Sequence, residues 1–171
     1  MTENMVRVMR VLRGHLLKLT HESPGDFRDY GWHAYDCTNE VQSAVRLVRI
    51  SDGCEIQLNW LLHSERPHCH SPGTMASFML IGGYEWFLQQ HGAAESLKLV
   101  SAAGSLVTMN PTDTHWIPRR DDGGRSLSMC VFDHVTDWHE RYPSVPVGVA
   151  IDVHQDAVSS ARFLKGSFPD V

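Results

Sequence analysis

The chain has 171 residues, of which 42% are hydrophobic and 20% charged, a composition typical of one globular domain and not of a disordered or fibrous protein. Its net charge of -5 and its pI near 6.1 exclude an overall basic surface of the kind that binds nucleic acid. No apolar run approaches the ~20 residues of a membrane span. We therefore predict a single domain, residues 1–171, without nucleic-acid or membrane partners.

The N-terminal segment is predicted to be an amphipathic helix over about residues 4–19, because its apolar residues recur at intervals of three and four. We expect this helix to pack on the body of the domain or on a second subunit. Together with the edges of the predicted sheet, it favours a homodimer. Basic residues interrupt the apolar part of the segment, unlike the core of a signal peptide, so we expect the protein to be cytoplasmic.

Between about residues 43 and 133, short runs of β-branched and aromatic residues alternate with turn residues, which predicts an all-β core. The Asp52-Gly53 step between the first two runs is a hairpin signal. In the second run, Ile56 alternates with Glu55 and Gln57, which indicates one buried and one polar face. The predicted strands cover residues 43–50, 54–63, 74–81, 84–89, 96–101, 105–109 and 126–133.

The C-terminal part, residues 134–171, is predicted to be an irregular wrap around this core. Pro143 and Pro146 argue against a long helix, because proline removes a backbone donor and clashes with the preceding turn. One or two helical turns are expected within residues 155–167.

Two histidines one residue apart, His68 and His70, precede the predicted strand at 74–81. In an extended chain alternate side chains point to the same face, so both imidazoles can reach one metal ion. His115 is the best candidate for a third ligand, since three imidazoles suit several transition metals and leave open positions. Cys69 points to the opposite face, where we expect it to pack as a small hydrophobe.

The spacing of these histidines resembles the two sequence motifs of the cupin superfamily over about residues 44–133. The first motif is H-x-H followed by a glutamate and a glycine, and here His68 and His70 are followed by Met75 in the glutamate position and then by Gly82. The second motif contains a glycine, a proline, a second glycine, a histidine and an asparagine at fixed spacing. Here these positions are occupied, in that order, by Gly104, Asn110, Thr112, His115 and Arg119.

The resemblance implies a single-domain cupin β-barrel, a double-sheet jelly roll, with an N-terminal α-helix. It also implies that His68, His70 and His115 are metal ligands. With Met75 in place of the usual carboxylate, the ligand set is similar to that of cysteine dioxygenase-type cupins, which bind Fe(II) and oxidise a thiol-bearing acid with dioxygen. Fe(II) is therefore the expected metal, with Zn, Ni, Mn or Cu as alternatives, and the missing carboxylate favours an anionic substrate.

Two further residues are candidates for direct roles in the reaction. Arg119 points into the barrel with His115 if their strand alternates, and its guanidinium matches a carboxylate or phosphate; an ion pair with Asp121 or Asp122 is the alternative. His63 is either an acid-base or metal-supporting group or a residue of the rim. The residues expected to line the cavity are Met75, Ser77, Met79, Tyr84 and Trp86.

The leading functional hypothesis is an Fe(II) oxygenase of the dioxygenase type that acts on a small anionic metabolite. One alternative is a Zn-, Ni- or Mn-dependent isomerase, lyase or hydrolase that uses the metal as a Lewis acid. Another is a cupin that binds a small molecule without turnover. A metal-free acid-base enzyme, such as a sugar epimerase, needs an acid inside the barrel, and no acid is expected on the inward faces of the two motif strands.

Overall fold

The computed structural model describes residues 1–38, 44–61, 64–70, 73–118 and 124–171. The helices are α1 (Glu3–Leu19), α2 (Trp138–Arg141) and α3 (Val147–Phe163), with 3-10 turns at Phe27–Tyr30 and Lys165–Ser167. The strands are β1 (His33–Asp36), β2 (Ala44–Ser51), β3 (Cys54–Leu61), β4 (Glu65–His68), β5 (Met75–Ile81), β6 (Gly83–Gln89), β7 (Leu97–Ala102), β8 (Leu106–Met109), β9 (Thr114–Ile117) and β10 (Ser126–Phe132).

These strands form two antiparallel sheets, with the orders β1-β2-β3-β10-β5-β8 and β4-β9-β6-β7. The predicted all-β core of two sheets with an N-terminal helix is confirmed. The predicted hairpin is present between β2 and β3, where Ser51 pairs with Cys54 and the two turn residues, Asp52 and Gly53, have φ of 56° and 68°. Both values are those of a tight hairpin turn that matches the twist of the strands.

The two faces of the larger sheet differ along β3: one packs in the apolar core and the other lines a cavity. On β3, Ile56 and Leu58 belong to the apolar core beneath the helices. Glu55 and Gln57 point the other way and line a cavity between the two sheets, where both are buried. The alternation along β3 therefore separates a core face from a cavity face, and the polar side chains line the cavity.

Helix α1 packs on the outer face of the larger sheet of its own chain. Its N-terminus is capped by Thr2, whose hydroxyl accepts a hydrogen bond from the Met5 amide at 3.2 Å. Its buried stripe consists of Met5, Val8, Met9, Leu12, His15, Leu16 and Leu19. This stripe is used within the chain, so it does not argue for a second subunit, and the homodimer stays a prediction.

The prediction of an irregular C-terminal wrap was wrong, because α3 is a regular helix of 17 residues. Pro146 immediately precedes its first residue, a position where the missing backbone donor costs nothing, so the proline marks the start of the helix. The side chains of Ala150, Val153, Ala157 and Val158 are buried in the same core as α1. No helix in the described parts of the chain has the length and apolarity needed to cross a membrane.

The Gly82-Gly83 pair is the corner at which the chain passes from one sheet to the other. Gly82 has φ of 68°, and a Cβ atom there would collide with the carbonyl oxygen of Arg125. A Cβ atom on Gly83 would collide with the carbonyl oxygen of Ser101. Glycine is therefore required at this corner, which connects β5 to β6 on the two walls of the cavity.

Candidate metal centre

The pairing of β4 with β9 brings two of the three histidines together. His68, the last residue of β4, lies directly opposite His115 on β9. Side chains on directly opposed residues of an antiparallel pair lie on the same face and in contact. His70 follows two residues after His68, and its ring centroid lies 4.9 Å from that of each of the other two imidazoles.

The three imidazoles are close enough to serve one ion. The ring centroids of His68 and His115 are 4.3 Å apart, and the ligand nitrogens of all three residues lie within 4.8 Å of one another. Metal–nitrogen bonds of about 2.1 Å require only small side-chain rotations from these positions.

The state of the ring nitrogens fits a metal ligand set. His68 Nδ1 lies 2.8 Å from the Arg66 carbonyl oxygen, to which it donates its proton, and this leaves Nε2 with a free lone pair. His70 Nε2 is buried and has no hydrogen-bond partner among the described residues; on His115, Nδ1 is likewise unpartnered, while Nε2 faces Glu65. Buried polar atoms without partners are rare in folded proteins, and an ion is a common reason for them.

Burial also keeps two of the imidazoles neutral. Desolvation, together with the charges of His115 and His68, lowers the pKa of His70 to about 2. Desolvation likewise lowers the pKa of His68, although the negative charge of Glu65 opposes it. The neutral imidazole is the form that binds a metal ion.

The cavity that the imidazoles face has a volume of about 380 Å³. One wall is polar: Cys130 donates to Ser77 Oγ at 3.1 Å and accepts from Asn59 Nδ2 at 3.2 Å. Burial raises the pKa of the Cys130 thiol, so that it stays protonated. The structure places all five residues expected to line the cavity on its wall, namely Met75, Ser77, Met79, Tyr84 and Trp86.

Aromatic rings surround the imidazoles on the apolar side. The Phe132 ring centroid lies 4.9 Å from that of His70, and the Trp86 centroid lies 6.3 Å from that of His115. Trp86 is held by a hydrogen bond of 3.0 Å from its Nε1 to Ser101 Oγ. These rings restrict the movement of the imidazoles and limit the access of water to them.

A carboxylate that sequence reasoning missed lies beside the histidines. Glu65 Oε2 is 3.3 Å from His115 Nε2, and Glu65 Oε1 is 3.7 Å from His68 Nε2. The other partner of Glu65 is Arg46, whose guanidinium nitrogen lies 3.4 Å from Oε1. The expectation that no acid faces the cavity from the motif strands was therefore wrong.

The reason for the error is a break in strand register. Residues three apart on a regular strand point to opposite faces, so simple alternation places Glu65 away from His68. Here the pairing of β4 with β9 shifts between these two residues, and both side chains reach the cavity. The signal available in the sequence was the acid three residues before the histidine pair, but no periodicity argument selects it.

Glu65 is ionised in this environment. Burial raises its pKa, but the hydrogen bond with His115 and the charges of His115, His68 and Arg46 outweigh burial and lower the pKa to about 2. The site thus contains a fixed negative charge at neutral pH, supplied by β4 and not by the motif position. Met75, at that position, is buried and apolar.

Two predicted residues cannot be assigned a place in the site. Arg119 and His63 lie outside the described residues, as do the alternative partners of Arg119, Asp121 and Asp122. The expectation for Cys69 was wrong, because its side chain is exposed at the cavity mouth and is not packed as a small hydrophobe.

No protein-family profile and no curated protein matches the sequence. Among solved structures, a single-residue variant of oxalate decarboxylase from Bacillus subtilis matches with a TM-score of 0.52 and 15% identity, over 70% of this chain and 31% of that chain. A second structure of that enzyme, from work on its Mn(II) centres, matches with a TM-score of 0.52 and 14% identity over the same shares. These structures contain cupin domains. The chain has the cupin fold.

Other cupins match over less of the structure. The cupin domain of CENP-C from Drosophila melanogaster has a TM-score of 0.40 and 11% identity, over 51% of this chain and 70% of that chain. The chain spans about a third of the length of the oxalate decarboxylase that it matches. At these identities the comparisons establish the cupin fold, and the chemistry has to be argued from the site itself.

Proposed function

We propose that this cupin is a metal-dependent enzyme, specifically an Fe(II) oxygenase of the dioxygenase type that acts on a small anionic metabolite. The observation that carries the proposal is the convergence of His68, His70 and His115 on a cavity of about 380 Å³, where one ring nitrogen each of His70 and His115 is buried without a partner among the described residues. A cavity of this size fits a metabolite of a few heavy atoms and excludes a macromolecule.

The roles of the metal and of the protein can be separated. Fe(II) held by three neutral imidazoles would keep open positions for dioxygen and substrate and would supply the redox chemistry. The chain itself supplies the ligands, a polar wall that hydrogen-bonds the substrate, and aromatic rings that limit the access of water. Arg46 adds a positive charge, and its buried Nε atom has no partner among the described residues, which supports an anionic substrate. We propose a similar orienting role for Arg119 and an acid-base role for His63.

Metal content and oxygen uptake test this proposal. Protein purified without chelators should contain about one metal ion per chain. After loading with Fe(II), it should consume dioxygen with a member of a panel of small carboxylic acids that includes thiol-bearing acids. The His70→Ala variant should lose both properties. A wild-type protein that takes up no metal, and that does not differ from His70→Ala, would contradict the proposal.

Manganese supports a second candidate, a Lewis-acid lyase or isomerase. Mn(II) centres are present in the Bacillus subtilis oxalate decarboxylase that shares this fold, and Glu65 provides the oxygen donor that Mn(II) favours over an all-imidazole site. This candidate predicts turnover of the same acids without dioxygen. A cupin that only binds its ligand would show a raised Tm with an acid of the panel and no turnover under either condition.

A further inference from the structure

We propose that Glu65 is a fourth protein ligand of the metal bound by His68, His70 and His115. The chain would then supply from β4 the carboxylate that other cupins place at the position of Met75. This inference rests on the metal site of the proposed function and goes beyond it, since it replaces an all-histidine ligand set by three nitrogens and one carboxylate oxygen.

The distances around Glu65 are those between ligands of a common ion. Two atoms bound to one ion at about 2.1 Å lie about 3.0 Å apart in octahedral and about 3.4 Å apart in tetrahedral geometry. Glu65 Oε2 lies 3.3 Å from His115 Nε2, and Oε1 lies 3.7 Å from His68 Nε2. A direct hydrogen bond between a charged carboxylate and an imidazole is usually about 2.7–2.9 Å long. The spacing therefore leaves room for an ion between these groups.

The local structure explains how β4 delivers this side chain. The register shift between Glu65 and His68 turns both side chains into the cavity, although they are three residues apart. At the usual position, Met75 packs within an apolar cluster that includes Trp86 and Phe132 and offers no oxygen. In this chain the carboxylate therefore lies on β4, beside His68 and His115.

Arg46 completes the argument from charge. Its guanidinium lies 3.4 Å from Glu65 Oε1, and this partly exposed ion pair offsets part of the charge of the carboxylate. The Oε2 atom faces His115 and not Arg46. Oε2 is therefore directed toward the imidazoles, while Arg46 approaches Oε1 and competes with a metal ion for the negative charge of the carboxylate.

Cobalt absorption spectra of matched variants test the inference. The metal-free full-length protein is titrated with Co(II), whose visible bands report the number and type of its ligands, and the affinity is measured by competition with a chelator. Glu65→Gln is compared with Glu55→Gln. Glu55 is a buried carboxylate on the cavity wall; it accepts a hydrogen bond from the Thr136 amide and lies outside the histidine cluster. Arg46→Met controls for loss of the ion pair, and His70→Ala controls for loss of a histidine ligand.

The expected result is specific to Glu65. Glu65→Gln should shift the Co(II) bands and weaken binding by more than about 100-fold, beyond the usual effect of losing a hydrogen-bond partner of a ligand. Glu55→Gln and Arg46→Met should keep the wild-type bands. Loss of all Co(II) binding from a folded Glu65→Gln protein also supports the inference. If that variant fails to fold, Glu65→Asp replaces it and should likewise shift the bands.

The opposite results are distinguishable. Wild-type bands in Glu65→Gln would overturn the inference, because the carboxylate would then lie outside the coordination sphere, and they would leave the three-histidine site intact. A wild-type protein that binds no Co(II), or a His70→Ala variant that binds it as the wild type does, would overturn the metal site of the proposed function and this inference with it.

Discussion

Two carboxylates, the buried Glu22 and the partly buried Glu65, each lie beside a histidine and an arginine, but their partners are at different distances. Glu22 accepts hydrogen bonds from Arg49 at 2.6 Å and from His154 at 2.8 Å. The corresponding contacts of Glu65 are 3.4 Å to Arg46 and 3.3 Å to His115. The same three residue types therefore form a closed network at one place and an open cluster at the other.

The surroundings of Glu22 explain the closed network. Trp32 Nε1 donates to it at 3.0 Å, and the Arg49 guanidinium lies 4.0 Å from the centre of the Trp32 ring. His154 belongs to α3 and Arg49 to β2, so the network joins a helix to the outer face of the larger sheet. Burial raises the pKa of Glu22, but the hydrogen bond from His154 and the charge of Arg49 outweigh it and lower the pKa.

The open cluster faces the cavity, whereas the closed network faces the helix-covered core. The three short hydrogen bonds that Glu22 accepts leave no vacancy for a ligand on this carboxylate, as a structural role requires, although two nitrogens of the Arg49 guanidinium have no partner among the described residues. Longer contacts and unpartnered ring nitrogens around Glu65 are typical of groups placed for a missing partner. The comparison supports a structural role for Glu22 and the ligand role that we propose for Glu65.

The largest expected effect separates the two carboxylates by stability. Glu22→Gln should lower the free energy of unfolding by about 3–5 kcal/mol, because it leaves Arg49 buried without its counter-charge. Glu65→Gln should cost about 1 kcal/mol or less in the metal-free protein, since Glu65 and Arg46 are partly exposed and their contact is long. Denaturant unfolding of both variants measures the difference. Equal losses in the free energy of unfolding would contradict the different roles of Glu22 and Glu65.

Acid sensitivity should arise on the helix side through His15. Both of its ring nitrogens are buried without a hydrogen-bond partner among the described residues. Burial, with the positive charges of Arg49 and Lys18, lowers the pKa of His15 to about 4. The unfolded chain, with a pKa near 6.5, then binds the proton more tightly than the folded one.

The sign of the pH effect follows. The stability contributed by neutral His15 is complete above about pH 6.5 and is lost progressively toward pH 4, by about 3 kcal/mol in total. His15→Leu should flatten the pH dependence of unfolding in this range. His91→Leu, a change at an exposed histidine, should leave the dependence unchanged. A wild-type pH profile in His15→Leu would refute the expectation.

Metal addition should stabilise the native state through the cavity site, independently of the Glu22 network. At a Mn(II) concentration about 100 times its Kd, binding to the native state adds about 2.7 kcal/mol and raises the Tm. The Glu22→Gln variant should start from a lower Tm but show the same increase on metal addition, because Glu22 lies away from the cavity. The His70→Ala variant should lose the increase. Thermal melts with and without Mn(II) measure both, and a gain lost in Glu22→Gln would show that the two regions are coupled.

Much of the fold could be predicted from periodicity. The repeats of α1 and the alternation in β2, β3 and β5 depend only on neighbouring residues, and the Asp52-Gly53 turn depends on local backbone preference. The sequence does not predict helix α3, because prolines argue against a long helix, whereas Pro146 lies just before the first helical residue, where the missing donor costs nothing. The polar face of β3 was correctly identified as polar, but its position inside a cavity depends on the second sheet.

The site was predicted less completely, because parts of it also depend on strand pairing and tertiary packing and not on local sequence. The spacing of His68, His70 and His115 follows from two local motifs, and the structure brings the three residues together. The contribution of Glu65 depends on a register shift that no pattern in the sequence announces. The network of Glu22 with His154 joins residues 132 positions apart, and only tertiary packing brings them into contact.

The two arginines that pair with these carboxylates should also differ, and the change expected at Arg46 is small. Arg46→Met should change the free energy of unfolding by about 1 kcal/mol or less, whereas Arg49→Met should cost about 3 kcal/mol because it leaves Glu22 buried without its cation. Arg46→Met should also tighten Mn(II) binding, since a metal ion and Arg46 compete for the negative charge of Glu65. Calorimetric titration with Mn(II) measures this change. Weaker binding in Arg46→Met would mean that the arginine holds Glu65 in place for the ion, and that the cluster is less open than its distances indicate.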